Sequence, residues 1–245
     1  MVVAIIQARL GSSRLPGKSA LPLPLGAAGD AATLLGHVVG RTHRATTVEQ
    51  VIVATTTQVA DDELAALAGR LGAAVVRGDE HDVLARFVQA LDAAGPAATT
   101  VVRLTADNPA LDPAFVDAAV VHQQRTGADY TLTTGLPLGT NVEVIAVEAL
   151  RRAHREASQL VEREHVTPYL RRHPDLFRLE TLALSVPPAV AALRLTVDYP
   201  SDYALLSLLF EELGADFSFT DPAGLPALLT RYPWLGAVNA DNEQR

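Results

Sequence analysis

Apolar and polar positions alternate along the chain in short blocks that switch between strand and helix periodicity. Residues 2–7 (VVAIIQ) form a β-branched run followed by a glycine-containing loop and predict a buried strand. Residues 33–45 (TLLGHVVGRTHRA) have helical spacing, VEQVIVATT predicts a second strand, and residues 61–72 (DDELAALAGRLG) predict a helix that opens on acids and stops at Gly72. AAVVRG and TTVVRLTAD predict a third and a fourth strand, with a helix over residues 79–95 between them. Residues 111–127 predict a helix with Asp112 as N-cap, Pro113 at its first position and Gly127 as its stop. Four successive strand–helix units predict an α/β fold with a doubly wound, mostly parallel sheet. Ligands of such sheets lie beyond the carboxyl ends of the strands, where the loop after Gln7 emerges.

The second half is less regular. DYTLTT, NVEVIAV, FRLETLAL and LRLTVD read as strands, with helical VEALRRAHREAS and EREHVTPYLRRH among them. Fewer intervening helices imply antiparallel additions and a small α+β subdomain over about residues 136–192, within a single domain of residues 1–245. NVEVIAV and LETLALSV are expected to lack helix cover. SDYALLSLLFEELG predicts a last helix returning to the main core, and the tail from Val238 is expected to fray.

Composition narrows the function classes. An apolar fraction of 49% supports a globular protein, and the lack of cysteine excludes disulfides and cysteine-ligated metal. MVVAII has no basic leader and no apolar run reaches the ~20 residues of a membrane span, so a cytoplasmic protein without membrane contact is expected. A net charge of −8 disfavours nucleic acid as a partner, because that affinity comes from neutralising backbone phosphates.

GSSRLPGKS, residues 11–19, almost spells G-x-x-x-x-G-K-[ST], but five residues separate its glycines and Pro16 removes an N–H donor. A Walker-type cradle is therefore rejected, while Arg9, Arg14 and Lys18 keep the loop a candidate phosphate site of another geometry. Of the 20 basic residues, 19 are arginine and Lys18 is the lone lysine. Its position predicts a need for a compact ammonium that a planar guanidinium cannot replace. RLTADNP and RLTVDYP each end an apolar run with an aspartate before a proline. If both runs are neighbouring parallel strands, Asp107 and Asp198 face one crevice and could hold a hard divalent cation on a nucleotide's phosphates. The competing reading is that each aspartate only caps the following turn. Thr55, Thr56 and Thr57 after the second strand and Arg77 at the end of the third are candidates for base and ribose contact, with turn capping the alternative for the threonines.

IIQARLGSSRLPGK, VATTTQVADDELA, VVRGDEHDVLARF, VVRLTADNPALDP, NVEVIAVEAL, EREHVTPYLRRHPDLF and LRLTVDYPSDYALL together resemble the cytidylyltransferases of the spore coat polysaccharide biosynthesis SpsF type, relatives of CMP-KDO and CMP-sialic acid synthetases. The resemblance runs in order from Val2 to about Leu213. It implies a Rossmann-like nucleotide-diphospho-sugar transferase fold, a dimerisation role for the subdomain, a homodimer, and transfer of CMP from CTP to a sugar or sugar acid with release of pyrophosphate. It places the triphosphate on Gln7, Ala8, Arg9, Gly11, Ser12, Arg14 and Lys18, and Mg2+ on Asp107 and Asp198. Lys18 suits the α-phosphate and the forked Arg9 and Arg14 suit the β- and γ-phosphates. Glu143, Asn141, Glu164 and His165 fall where the acceptor sugar is expected. From pattern alone, Glu143 points either to solvent or to the sugar, and a helical His165 beside Glu164 is more often a structural hydrogen-bonded pair than a general base. Asn108 and Asn141 depart from the usual Cys and Asp of that family, which points to a changed acceptor or weak activity. Two other classes remain open: a glycosyltransferase using a finished nucleotide sugar, although no Asp-x-Asp follows either strand, and a catalytically silent nucleotide-binding regulator.

Overall fold

The described residues form seven strands: β1 (Val2–Gln7), β2 (Gln50–Thr56), β3 (Ala74–Gly78), β4 (Thr100–Thr105), β5 (Tyr130–Thr134), β6 (Glu143–Ala146) and β7 (Leu179–Ala183). In the computed structural model, which describes residues 1–243, they make one sheet in the order β3-β2-β1-β4-β6-β5-β7. The first four pair in parallel, β6 runs antiparallel to both β4 and β5, and β7 returns parallel to β5. The central strands are apolar on both faces because helices cover both.

The two-residue period of β1 separates two cores. Val2, Ala4 and Ile6 pack with α1 (Leu34–His43), α2 (Asp62–Arg70) and α4 (Pro113–Thr126). Val3 and Ile5 face α3 (Val83–Ala94), α5 (Val147–Glu156), and, beyond the short α6 (Leu160–His165), α7 (Pro168–Arg172). The caps of α4 are the expected ones: Asp112 accepts from the Ala114 N–H at 3.0 Å and Gly127 is left-handed, with φ 64°. A third core lies beyond the sheet. It joins Leu23 and Leu34 to α8 (Pro188–Ala191), α9 (Pro200–Leu213) and α10 (Leu225–Arg231).

Four features differ from the pattern-based expectations. Residues 162–173 do not make one helix, because Val166 has φ 70° and Pro168 starts a new one. Residues 193–198 do not join the sheet. They form an extended segment linked to Leu138 by a single bridge, and the Val197 N–H donates to the Asp107 carbonyl at 2.8 Å. The strand β6 is interior and covered, with Val144 and Ile145 fully buried, so only β7 offers a sheet edge from residues 136–192. Part of the tail expected to fray is anchored: Asn239 and Asn242 both donate to Asp202 at 2.8 Å, while residues 244 and 245 lie outside the described residues. The tail is a polar run without periodicity, so a fixed place in the fold was not visible from its pattern.

Asp202, fully buried in α9, also accepts from the Asp198 and Tyr199 N–H groups at 2.9 Å and from Arg194 Nε at 3.0 Å. Burial alone would raise its carboxyl, but these donors outweigh it and hold the group below the usual carboxylate range. A depressed native value means its stabilisation is present above about pH 4 and is lost as the pH falls through the native value. Asp202→Ala should therefore cost about 3–5 kcal/mol at neutral pH, because it removes one of the two carboxylates on buried Arg194 and leaves the Asp198 and Tyr199 N–H groups without their acceptor. Urea unfolding at pH 7 and across the acid range checks both the loss and a shallower acid slope.

Candidate functional site

A cavity of about 490 Å³ opens beyond the carboxyl ends of β1 and β4. Gln7, Ala8, Arg9, Gly11, Ser12, Arg14, Lys18, Asp107, Glu164, His165 and Asp198 all line it, so most of the residues singled out by pattern and resemblance share one space. The loop after β1 is shaped by its own backbone: Ser12 and Gly17 N–H groups donate to the Leu10 carbonyl at 2.8 and 3.1 Å. Gly17 takes φ 71°, a value open to glycine, and turns the chain so that Lys18 points inward.

Lys18 does not stand free for a phosphate. Its Nζ donates to Asp107 Oδ2 at 2.8 Å, to Asp198 Oδ1 at 3.0 Å and to the Val197 carbonyl at 2.7 Å. Three ammonium protons meet three acceptors. Arg14 Nη2 and Arg194 Nη2 each donate to Asp198 at 2.8 Å, and both guanidinium groups approach the Tyr199 ring, at 4.9 and 5.9 Å. Burial works to raise the Asp107 carboxyl, and the charge and hydrogen bond of Lys18 more than reverse this, holding it low. The two carboxylates thus converge, although the second does not come from a strand end as the sequence predicts. No group of three or more metal-binding side chains exists among the described residues. Two carboxylates on one ammonium nevertheless fit a hard divalent cation, which takes its remaining oxygen ligands from water and phosphate. Such an ion and the Lys18 ammonium compete for one position.

Other expected contacts fall elsewhere. Thr55, Thr56 and Arg77 do not line the cavity. Thr55 is fully buried in β2, the Thr56 hydroxyl donates to Asp61, and Arg77 pairs with Asp62 at 2.7 Å. Thr56 instead acts on the site through Asp61, which accepts from the Leu10 N–H at 2.7 Å and so pins the loop. Glu143 does not reach the large cavity either. It lines a small recess with Asn141 and is held by Arg103, Tyr130 and by Thr167 at 2.8 Å. Burial pushes the Glu143 carboxyl up, but Arg103 and these hydroxyls outweigh it and keep it depressed, while burial and Glu143 push the Tyr130 hydroxyl up. The bend at Val166, a strained conformation for a β-branched residue, separates His165 on the cavity wall from Thr167 on Glu143.

Asn108, noted above as a departure from the family pattern, also lines the cavity, as do Arg86, Arg103, Thr105, Gly139 and Thr196, which were not singled out from the sequence. Arg103 carried a signal, being a charge inside an apolar strand; it sits opposite Ile5 on one side and Glu143 on the other. Gly139, at φ 93°, lets its loop lie against Thr196, since a Cβ there would come within 2.7 Å of the threonine. Nothing local in the sequence marks that contact.

A family profile described as Cytidylyltransferase matches residues 3–212. The spore coat polysaccharide biosynthesis protein SpsF of Bacillus subtilis is 35% identical over 95% of both chains. A 3-deoxy-manno-octulosonate cytidylyltransferase of Anaeromyxobacter dehalogenans is 33% identical over 64% of this chain and 61% of its own. Among solved structures, a cytidylyltransferase from Leptospira borgpetersenii superposes with TM-score 0.85 at 27% identity, over 100% of this chain and 98% of that one. A CMP-2-keto-3-deoxy-manno-octonic acid synthetase complexed with CTP shares the fold, with TM-score 0.63 at 16% identity over 86% and 98% of the two chains.

Removing the resident ammonium should expose the shared cation position. Lys18→Met is expected to bind Mn2+ in the absence of nucleotide at least about tenfold more tightly than the parent protein, since it deletes a competing charge between two carboxylates. Mn2+ titration followed by electron paramagnetic resonance reads this directly. An unchanged affinity would mean that Asp107 and Asp198 do not share a cation site.

Proposed function

The chain belongs to the cytidylyltransferase family, and from that premise we propose that its large cavity takes CTP and a sugar or sugar-acid hydroxyl, forming a CMP-sugar and releasing pyrophosphate. The observation that carries this reading is the convergence of Lys18, Arg14, Asp107 and Asp198 on one wall of a cavity beyond β1 and β4. The acceptor class follows the relatives: some are named for 3-deoxy-manno-octulosonate and one for spore coat polysaccharide, so a precursor of surface polysaccharide is proposed. No helix among the described residues is long and apolar enough to cross a membrane, which agrees with work on soluble precursors in the cytoplasm.

In the proposed reaction the acceptor oxygen bonds to the α-phosphorus and the bond from that phosphorus to the pyrophosphate oxygen breaks. Pyrophosphate leaves with the bonding electrons, and the hydroxyl loses its proton. Negative charge builds on the non-bridging and leaving oxygens, so positioned cations supply most of the catalysis. Lys18 exchanges its carboxylate partners for the α-phosphate, and Arg14 and Arg9 hold the outer phosphates. Magnesium, when bound by Asp107 and Asp198, supplies further neutralisation of the α-phosphate. Arg103, oriented by Glu143, faces the acceptor side with Glu164 and His165, and His165 is the imidazole proposed to receive the hydroxyl proton.

Pyrophosphate release from CTP, Mg2+ and a panel of sugar acids and sugar phosphates tests the reading; no release with any acceptor would overturn it. Asp107→Asn should lower the rate by about 10²-fold or more while the melting temperature changes little, because the carboxylate is 28% exposed. Assembly is a separate expectation. A two-fold homodimer is proposed on the open edge of β7 and on Leu160, 84% exposed in α6. Light scattering at micromolar concentration should give twice the chain mass, and a monomer would refute it.

A further inference from the structure

The helix that brings Glu164 and His165 to the cavity has no apolar anchor. Leu160 and Val161 of α6 are exposed, and its one buried residue is the acid Glu162. Burial of an apolar face, the usual source of helical stability in a protein, therefore does not fix it in place. Charges hold it instead. Arg172 of α7 donates to Gln159 Oε1 at 3.0 Å and to Glu162 Oε1 at 3.4 Å, which ties α6 to the helix that follows it. Arg163 reaches across the fold. Its Nε and Nη2 both donate to the Asp82 carboxylate, Nε at 3.0 Å, and its Nη1 donates to the His154 carbonyl of α5 at 2.7 Å. A planar fork here meets a carboxylate edge to edge, a geometry that a single ammonium does not reproduce.

Asp82 is a fixed anchor. It caps α3 by accepting from the Ala85 N–H at 2.9 Å, and its own N–H donates to Asp79 at 2.9 Å. Val83 and Arg86 of α3 line the cavity, as do Glu164 and His165 of α6, so the Arg163–Asp82 pair joins two parts of one wall without lining it. The chain needs such a hold, because it turns sharply after His165. The Thr167 N–H donates to the His165 carbonyl at 2.8 Å around Val166, at φ 70° and ψ −54°, a γ-turn of the strained hand. A β-branched residue persists there only where the structure on both flanks over-determines it. On one flank the Thr167 hydroxyl donates to Glu143 at 2.8 Å, and Val166 and Leu170 are buried. On the other stand the charges of α6, and among the described residues the one bond from α6 to a remote part of the chain is that of Arg163 to Asp82, 81 positions away.

Resting on the nucleotidyl-transfer reading above, we propose that Arg163 is a positioning residue: its fork on Asp82 holds α6 against α3 and so keeps Glu164 and His165 on the cavity wall. It acts only through α6. With this clamp open, the turn at Val166 relaxes, α6 leaves the wall, and the cavity loses the imidazole assigned to the acceptor proton. The contacts of Lys18 and Arg14 run to Asp107, Val197 and Asp198 and involve neither α6 nor Asp82, so the loop after β1 keeps its shape. The signature is a split, in which turnover falls while nucleotide binding stays.

The full chain is compared with Arg163→Met, Arg163→Lys and Asp82→Asn by three measurements: amide hydrogen exchange, calorimetric titration with CTP and Mg2+, and pyrophosphate release with whichever sugar acid or sugar phosphate gives the parent its highest rate. In Arg163→Met the amides of residues 160–167 should exchange at least about tenfold faster than in the parent, with β1 and β4 unchanged. Its kcat should fall by about 10- to 100-fold, the cost of misplacing a reacting group, while the Kd for CTP stays within about twofold. Arg163→Lys keeps one ion pair and should recover part of the rate. Asp82→Asn keeps an oxygen to cap α3 but loses the charge, should show the same split, and serves if the methionine variant does not fold. Parental exchange and kcat in the variants would overturn the inference alone, as would loss of CTP binding together with faster exchange throughout the sheet, the mark of a merely structural role. A parent that releases no pyrophosphate with any acceptor would overturn the nucleotidyl-transfer reading and this inference with it.

Discussion

The ammonium of Lys18 ties together three parts of the chain that are remote in sequence: the loop after β1, the end of β4, and the extended segment before α9. Its three donors are all engaged, on two carboxylates and a carbonyl. A planar guanidinium has no equivalent arrangement, because its donors lie in one plane, whereas the three protons of an ammonium diverge to reach acceptors on two separate segments. The lone lysine of an arginine-rich chain therefore stands where compactness matters. The carboxylates it joins are themselves braced. Asp198 is held by Arg14 and Arg194, and Asp202 clamps both Arg194 and the backbone of residues 198 and 199.

On this wall of the cavity, cations and carboxylates neutralise one another, and in the function proposed a triphosphate would enter by exchanging partners, so that its binding would be a difference between two sets of charge-assisted bonds. Arg86, also on the wall, has its Nε and Nη1 without an acceptor among the described residues. Arg103 is a cavity guanidinium oriented from behind by Glu143, which Tyr130 and Thr167 hold in turn.

Much of the architecture was legible. The strand periods, the acids and glycines at helix ends, and Asp112 with Pro113 at the head of α4 locate the four parallel units, because these signals are local and repeat often enough to reinforce one another. The loop after Gln7 could be assigned to the site for the same reason, since parallel sheets put their ligands at strand ends. The second half was less legible. Residues 193–198 have a strand pattern but make a single bridge, to Leu138, outside the sheet, and β6 is covered by elements that follow no fixed spacing. Thr55, Thr56 and Arg77 lie at strand ends, yet their side chains serve the core and the loop support, which alternation alone cannot distinguish from a ligand contact.

By itself, then, the sequence determined the alternation of elements, the loop that bears the cations, and the choice of one lysine among arginines, all consequences of neighbours within a few residues. Tertiary structure decided which charge meets which. Lys18 finds Asp107 across 89 positions and Asp198 across 180, while the Arg86 side chain forms no ion pair among the described residues. Whether a buried charge is paired depends on long-range packing and on which acids have already been engaged. Neither leaves a periodic trace along the chain, because electrostatic pairing acts on distance in space and not on spacing in sequence.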